Sequence, residues 1–153
     1  MFGAVHHAGY IVRALEPAER HFAALGYRRL FAPVEDPEYG AEIVFLERTG
    51  AAPGEPLVEL IRPLSPESSV YGHTQRSDLQ IHHLCYTVDD MSAALAAVRS
   101  ARMVQVGNVR PAPAIGGSAI CFFFSNAAGL FELVERPPFP VASGAGGAAL
   151  ANG

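Results

Sequence analysis

The chain has 153 residues, half of them hydrophobic and only 17% charged, with a formal net charge of −4. That balance supports a sizeable core and excludes a compositionally disordered chain, and the charge gives no general affinity for nucleic acid. Two cysteines, Cys85 and Cys121, lie in apolar runs, so they read as buried thiols of a reducing compartment rather than a disulfide framework.

No leader pattern opens the chain, and no apolar run reaches the ~18–20 residues of a membrane span. A soluble, cytoplasmic protein with no membrane partner is expected. Residues 4–12 read as a strand. Leu15 to Leu25 follows as a helix, with Pro17 in its first turn, early glutamates, and Gly26 as its stop. Tyr27 to Val34 reads as the second strand, Glu35 to Gly40 as a turn cluster, and Glu42 to Arg48 as the third strand. A Gly/Pro hairpin over 49–56 leads into the fourth strand, Leu57 to Arg62. The first module, residues 1–64, is thus β-α-β-β-β.

Residues 65–79 form a connector with one helical turn near Ser68 to Thr74. The second module, residues 80–137, repeats the order. Strand 81–88 runs into a helix over Met91 to Ala101, capped by Asp89 or Asp90. Met103 to Val106 is a strand, Gly107 to Ser118 a mobile loop around a weak strand, and Ala119 to Phe124 and Leu130 to Glu135 the last two strands. Residues 138–153, mostly Gly, Ala and Pro, read as a disordered tail.

The modules echo one another in detail. Val5-His6-His7-Ala8-Gly9-Tyr10-Ile11-Val12 shares its His-His-x-x-Tyr-x-Val spacing with Ile81-His82-His83-Leu84-Cys85-Tyr86-Thr87-Val88. Leu57-Val58-Glu59-Leu60-Ile61 recurs as Leu130-Phe131-Glu132-Leu133-Val134. Adjacent strand residues point to opposite faces, so one histidine of each pair is expected to face a cavity. With His7 and His83 there, Val58, Leu60, Phe131 and Leu133 face the helices. The opposite register buries imidazoles and carboxylates under helices, so His7 and His83 are the better candidates.

A carboxylate in an apolar strand needs a partner, because a bare buried charge is costly. No arginine lies at a same-face position in the strands of Glu59 or Glu132. Two neutral imidazoles and two carboxylates around one divalent cation sum to zero charge, a donor set suited to Zn, Ni, Co, Mn or Fe. The bland alternative for each residue is a hydrogen-bonded core group; four at matched positions favour the metal. Cys85 reads as a small core residue or a cavity thiol. Tyr10 and Tyr86 read as packing residues, His21 and His73 as surface histidines. Arg110 is either solvated or a contact for an anionic substrate.

These motifs resemble the vicinal oxygen chelate superfamily, which includes glyoxalase I, methylmalonyl-CoA epimerase and extradiol dioxygenases, over residues 4–136. Val58 to Ser69, His82 to Asp90, and Gly129-Leu130-Phe131-Glu132-Leu133 are most similar to methylmalonyl-CoA epimerases. The resemblance implies an α+β fold in which two βαβββ modules form a cup-shaped, open mixed β-barrel with helices outside. It puts His7, Glu59, His83 and Glu132 on the family's metal ligands and implies a homodimer.

It also implies a metal-dependent epimerase acting on a small molecule, an acyl-CoA thioester, by removing and returning an acidic α-proton through a metal-stabilised enolate. Glu132 serves as one base. Glu42 is the available carboxylate for the other, although Ile43 takes the epimerase position when Pro37-Glu38-x-Gly40 is matched without a gap; otherwise Glu42 is a solvent-facing strand residue. A glyoxalase I-like lyase or a secondary-metabolite-modifying relative is the enzymatic alternative. A drug-binding protein of the bleomycin-resistance type is the rival of a different class.

Overall fold

The computed structural model describes residues 2–136 of the chain; the expected tail over 138–153 lies outside the described residues. Among the described residues, nine strands form one mixed sheet: β1 (Phe2–Val12), β2 (Tyr27–Arg29), β3 (Val34–Asp36), β4 (Ala41–Arg48), β5 (Leu57–Pro63), β6 (Leu79–Val88), β7 (Val104–Ala112), β8 (Ser118–Ser125) and β9 (Gly129–Glu135). Among the described residues, three α-helices accompany them, α1 (Leu15–Ala24), the short α2 (Tyr71–Thr74) and α3 (Met91–Ser100), with a 3-10 turn over Pro113–Ile115. The strand order is β2-β4-β5-β1-β6-β9-β8-β7, with β3 also on β4.

Both halves are wired alike. The first strand runs parallel to the last, β1 with β5 and β6 with β9. The last strand then pairs antiparallel with the one before it, β5 with β4 and β9 with β8. The halves join where β1 and β6 run antiparallel. Among the described residues, the sheet's ends do not hydrogen-bond into a closed barrel. They approach through side chains: Arg110 of β7 meets Asp36 of β3 at 2.9 Å, and the Tyr39 ring lies 6.0 Å from Phe122.

Strand alternation sorts the core into three clusters. Ile11, Ile43, Phe45, Ile61, Cys85, Ile120, Phe122 and Val134 line the concave side. On the outside, α1 sets Ala18 and Phe22 against Val44, Leu46, Val58 and Leu60. The second helix layer, α3, sets Met91, Ala94 and Val98 against Cys121, Phe123, Phe131 and Leu133. Val58, Leu60, Phe131 and Leu133 therefore face the helices, as alternation requires. No helix among the described residues is long and apolar enough to cross a membrane.

Two segments differ from the sequence expectation. The second strand is not continuous over 27–34; it breaks after Arg29 and resumes as β3, which includes Glu35 and Asp36. Pro33 carries no amide proton for a ladder. Asp36 instead accepts from the amides of Glu38 and Tyr39 at 3.0 and 3.3 Å, folding the turn one step later than expected. The weak strand expected within the 107–118 loop is instead the continuation of β7, which runs on to Ala112 across an irregularity between Val106 and Arg110. Gly107, at φ +75°, accommodates that kink, and an edge strand tolerates Pro111.

The helix cap is Asp90, whose carboxylate accepts from the Ala93 amide at 3.0 Å. Asp90→Ala is expected to lower stability by about 1 kcal/mol, the usual value of an N-cap, read from urea unfolding.

Candidate metal centre

The four singled-out residues arrive from four adjacent strands. Across the sheet, Glu59 of β5 lies beside Gly9 of β1, which pairs with His83 of β6. One step away, His7 of β1 pairs with Cys85 of β6, which lies beside Glu132 of β9. Two neighbouring rows thus supply one histidine and one glutamate each. All four side chains are buried, His7 and His83 almost completely.

Their atoms converge. His7 Nε2 stands 3.2 Å from His83 Nε2, 3.4 Å from Glu59 Oε2 and 3.1 Å from Glu132 Oε2. His83 Nε2 is 3.5 Å from the same oxygen of each glutamate. Two ligands each about 2.1 Å from one cation lie roughly 3.0–3.4 Å apart for right-angle to tetrahedral geometry. The observed spacings of 3.1–3.5 Å fall within 0.1 Å of that range. His7, His83 and Glu132 group as donors that could hold a metal ion. Burial alone raises the Glu132 carboxyl, but hydrogen bonds from His7 and His83 outweigh it and hold Glu132 well below the usual carboxylate range.

Gly9 makes room for this arrangement. A Cβ there would lie 2.3 Å from His83 Cε1, so the imidazole lies over the glycine and only a hydrogen fits beneath it. Gly9→Ala is expected to expel the His83 ring and to destabilise the fold by about 1–3 kcal/mol, as overpacking does. The thermal midpoint and the His83 imidazole NMR signals measure both effects.

The outer histidines do not leave the site as strict alternation requires. Pairing passes from Val5 opposite Tyr86 to His7 opposite Cys85, and from Gly9 opposite His83 to Tyr10 opposite Ile81. His6 and His82 are the unpaired residues at these two irregularities, and such bulges re-aim a side chain. His6 Nδ1 lies 2.8 Å from His7 Nδ1, and His82 Nδ1 lies 3.1 Å from His83 Nδ1. The recurrence of the outer histidine in both copies was the sequence signal for this pairing.

Burial, with the neighbouring His7, lowers His6 to about 4; burial, with His83 and His73, lowers His82 to about 3. The connector closes over this second pair, with the His73 ring 5.3 Å from that of His82. Because both folded values lie below the ordinary ~6.5, the unfolded chain binds protons that these folded histidines refuse. Their contribution to stability is therefore present above pH ~6.5 and falls as pH drops from there toward 4. Urea midpoints of metal-free protein at pH 7 and pH 5 are expected to show a smaller acid loss in His82→Gln than in wild type.

Glu42 is placed apart from the cluster. Its neighbours Ile43 and Phe45 belong to the concave core. The Glu42 carboxylate pairs with Arg62, whose Nε and Nη2 donate at 2.9 and 2.6 Å. Cys85 does face the concave side, where burial and the nearby Glu132 push its thiol up and keep it protonated. Tyr10 packs edge-on against Phe22 at 5.2 Å, a core role.

Arg110 and Tyr39 form a feature that the sequence left unresolved. The Arg110 guanidinium lies 4.7 Å from the Tyr39 ring centre and pairs with Asp36 and Glu38. Burial raises the Tyr39 phenol, and the charges of Glu132 and Glu59 raise it further.

A family model described as the Glyoxalase/Bleomycin resistance protein/Dioxygenase superfamily matches residues 6–122, and the chain belongs to that superfamily. Among its relatives is the ethylmalonyl-CoA/methylmalonyl-CoA epimerase of Cereibacter sphaeroides, 26% identical over 123 residues, 80% of this chain and 88% of the relative. The mitochondrial methylmalonyl-CoA epimerase of Mus musculus is 24% identical over 135 residues, 88% of this chain and 73% of the relative.

Two solved structures share the fold. A variant of Streptomyces coelicolor methylmalonyl-CoA epimerase in complex with 2-nitronate-propionyl-CoA superposes with a TM-score of 0.77, covering 94% of this chain and 100% of that one at 20% identity. The methylmalonyl-CoA epimerase from Mycobacterium tuberculosis gives 0.72, covering 86% of each chain at 24% identity.

Proposed function

We propose that this chain is a metal-dependent epimerase of the methylmalonyl-CoA epimerase type, acting in the cytoplasm on an acyl-coenzyme A thioester with an acidic α-proton. The observation that carries this reading is the convergence of both Glu59 and Glu132 to within 3.1–3.5 Å of His7 and His83 in a buried, concave site. The epimerase names of the relatives on both sides of the comparison support it. Buried free thiols accord with a reducing compartment. A homodimer belongs to the same reading, supported by the exposed apolar side chains Phe2, Ile81 and Leu84 on the β1–β6 pair.

The four residues would hold one divalent cation of the Zn, Ni, Co, Mn or Fe kind, which their neutral N₂O₂ donor set suits. When bound, that ion supplies Lewis-acid polarisation of a substrate carbonyl oxygen and so acidifies the adjacent C–H. His7 and His83 present Nε2 to the site; His6 and His82 accept from the opposite Nδ1–H groups and so fix the ligating tautomers.

Glu132 faces both imidazoles through Oε2, and its Oε1 is the atom we assign to take and return the α-proton. Epimerisation needs a second group on the other face of the substrate. Glu42 is tied to Arg62 behind the sheet, and the neighbouring concave position holds Ile43. We assign that second role to Glu59, the duplicate of Glu132.

Elemental analysis should find one divalent ion per chain in wild-type protein and almost none in His83→Ala. Metal-loaded enzyme in deuterium oxide should wash label into the α-carbon of methylmalonyl-CoA; no exchange would discard the reading. Glu59→Gln is expected to retain label exchange on one face while interconverting the epimers about 100-fold more slowly, within the usual range for a lost acid–base group. Chiral analysis of the thioester after a timed reaction measures the difference.

A further inference from the structure

His7 has two ring nitrogens, and the four-residue cluster uses only Nε2. The other, Nδ1, stands 2.8 Å from His6 Nδ1. A ring nitrogen of His6, one of His7 and the Cys85 sulfur all lie within 4.8 Å of one another. The irregularity between Val5 and His7 turns His6 beside His7, and Cys85 faces His7 across the β1–β6 junction. Phe45 packs against the group, its ring centre 5.1 Å from that of His7 and 6.2 Å from that of His6.

The duplication stops short at this point. His82 and His83 repeat the imidazole pair, with their Nδ1 atoms 3.1 Å apart, but the residue across from His83 is Gly9. A glycine offers no donor, so the second pair lacks the thiol that the first pair has.

The donor set differs in kind from that of the cluster. Two imidazoles and a thiolate are soft ligands, which favour monovalent copper over hard ions such as manganese or magnesium. Two nitrogens each about 2.0 Å from one cation at a right angle stand about 2.8 Å apart, and the two Nδ1 atoms are 2.8 Å apart. Charge closes as well. One Cu(I) and one thiolate sum to zero, as a position with His7 and Cys85 almost wholly buried requires.

We propose that His6 Nδ1, His7 Nδ1 and Cys85 Sγ form a second, copper(I)-selective site that competes with the four-residue cluster for His7. The ion takes the place of the proton between the two Nδ1 atoms. The Cys85 thiol proton leaves to solvent as the Cu–S bond forms, and nothing is oxidised or reduced. A neutral imidazole has one N–H, so with copper on Nδ1 the proton of His7 moves to Nε2. That atom lies 3.1 Å from Glu132 Oε2, and it then donates to the carboxylate instead of offering a lone pair to a divalent ion. Copper is thereby an inhibitor that acts through the tautomer of one ring. The copper site stands on its own three residues; the competition alone rests on the reading of the cluster as a metal centre.

Anaerobic titration of the metal-free full chain with Cu(I), against a chromophoric copper chelator, measures the affinity. Copper-edge X-ray absorption reads the Cu–S bond. Wild type is expected to bind one Cu(I) per chain with one sulfur ligand, and Cys121→Ser to match it. Cys85→Ser exchanges a soft donor for a hard one at nearly constant shape. It is expected to lose the Cu–S signal and to weaken copper by about 100-fold or more, since even changes outside the ligand shell reach that factor. His83→Ala, which empties the cluster, is expected to keep copper. Bound Mn(II), a hard ion, is expected to weaken copper, and copper to weaken Mn(II) by the same factor.

A wild-type spectrum without a sulfur ligand would overturn the site whatever the variants do. Loss of copper in His83→Ala as complete as in Cys85→Ser would place the ion in the cluster, and loss in Cys121→Ser would place it on the other thiol; either result overturns the assignment. Full copper affinity in protein carrying bound Mn(II) would overturn the competition for His7. Copper held through Cys85 by protein that washes no deuterium into methylmalonyl-CoA would remove the epimerase reading and leave this site standing.

Discussion

The whole arrangement depends on placing two carboxylates and two imidazoles together inside an apolar sheet. Glu59 and Glu132 sit in strands whose other residues pack under helices or into the concave core. Isolated, each carboxylate would carry a desolvation penalty of several kcal/mol. The sheet wiring supplies the remedy, because the antiparallel β1–β6 junction brings the two first strands together and each last strand flanks its own first strand in parallel. Each glutamate faces one histidine from its own half and one from the other. The site and the junction between the halves are therefore one feature, and weakening either weakens the other.

Much of this was legible in the sequence because it is written twice. The matched histidines and glutamates, the β-α-β-β-β order and the helix-facing set of Val58, Leu60, Phe131 and Leu133 all follow from spacing and alternation. Alternation failed where the strands stop being regular. A strict period of two turns His6 and His82 away from the cavity, whereas a bulge inserts one residue and turns it back toward its neighbour. Similarly, Gly107 and Pro111 read as loop formers, but at the sheet edge a kink and a missing amide proton are tolerated. Glu42 shows the opposite limit. A carboxylate on the right strand is one residue from the right face, and only the register with β5 places it beside Arg62.

The paired histidines show how a local irregularity serves a global requirement. An imidazole that offers Nε2 to a shared centre must carry its proton on Nδ1, and that proton needs an acceptor. In this sheet the nearest group to each of these Nδ1 atoms is the outer histidine's Nδ1, at 2.8 Å in the first half and 3.1 Å in the second. A second imidazole with its own Nδ1 unprotonated meets the need. It remains neutral because burial disfavours its charged form. Each half solves the problem in the same way, and the bulge is the backbone cost of doing so.

Duplication accounts for the cluster but not for what surrounds it. The halves part company at their third-layer edges. In the first, the strand breaks into β2 and β3, and the turn that follows carries Asp36 and Tyr39. In the second, β7 runs on through a kink to present Arg110. These two unlike segments meet across the open ends of the sheet through the Arg110–Asp36 pair. Symmetric residues can supply only symmetric chemistry, two imidazoles and two carboxylates facing one point. A ligand whose two ends differ needs walls that differ, and the chain places its differences there. Substitutions at the edge strands and their turns can therefore reshape the walls while the duplicated cluster on the four central strands keeps its geometry.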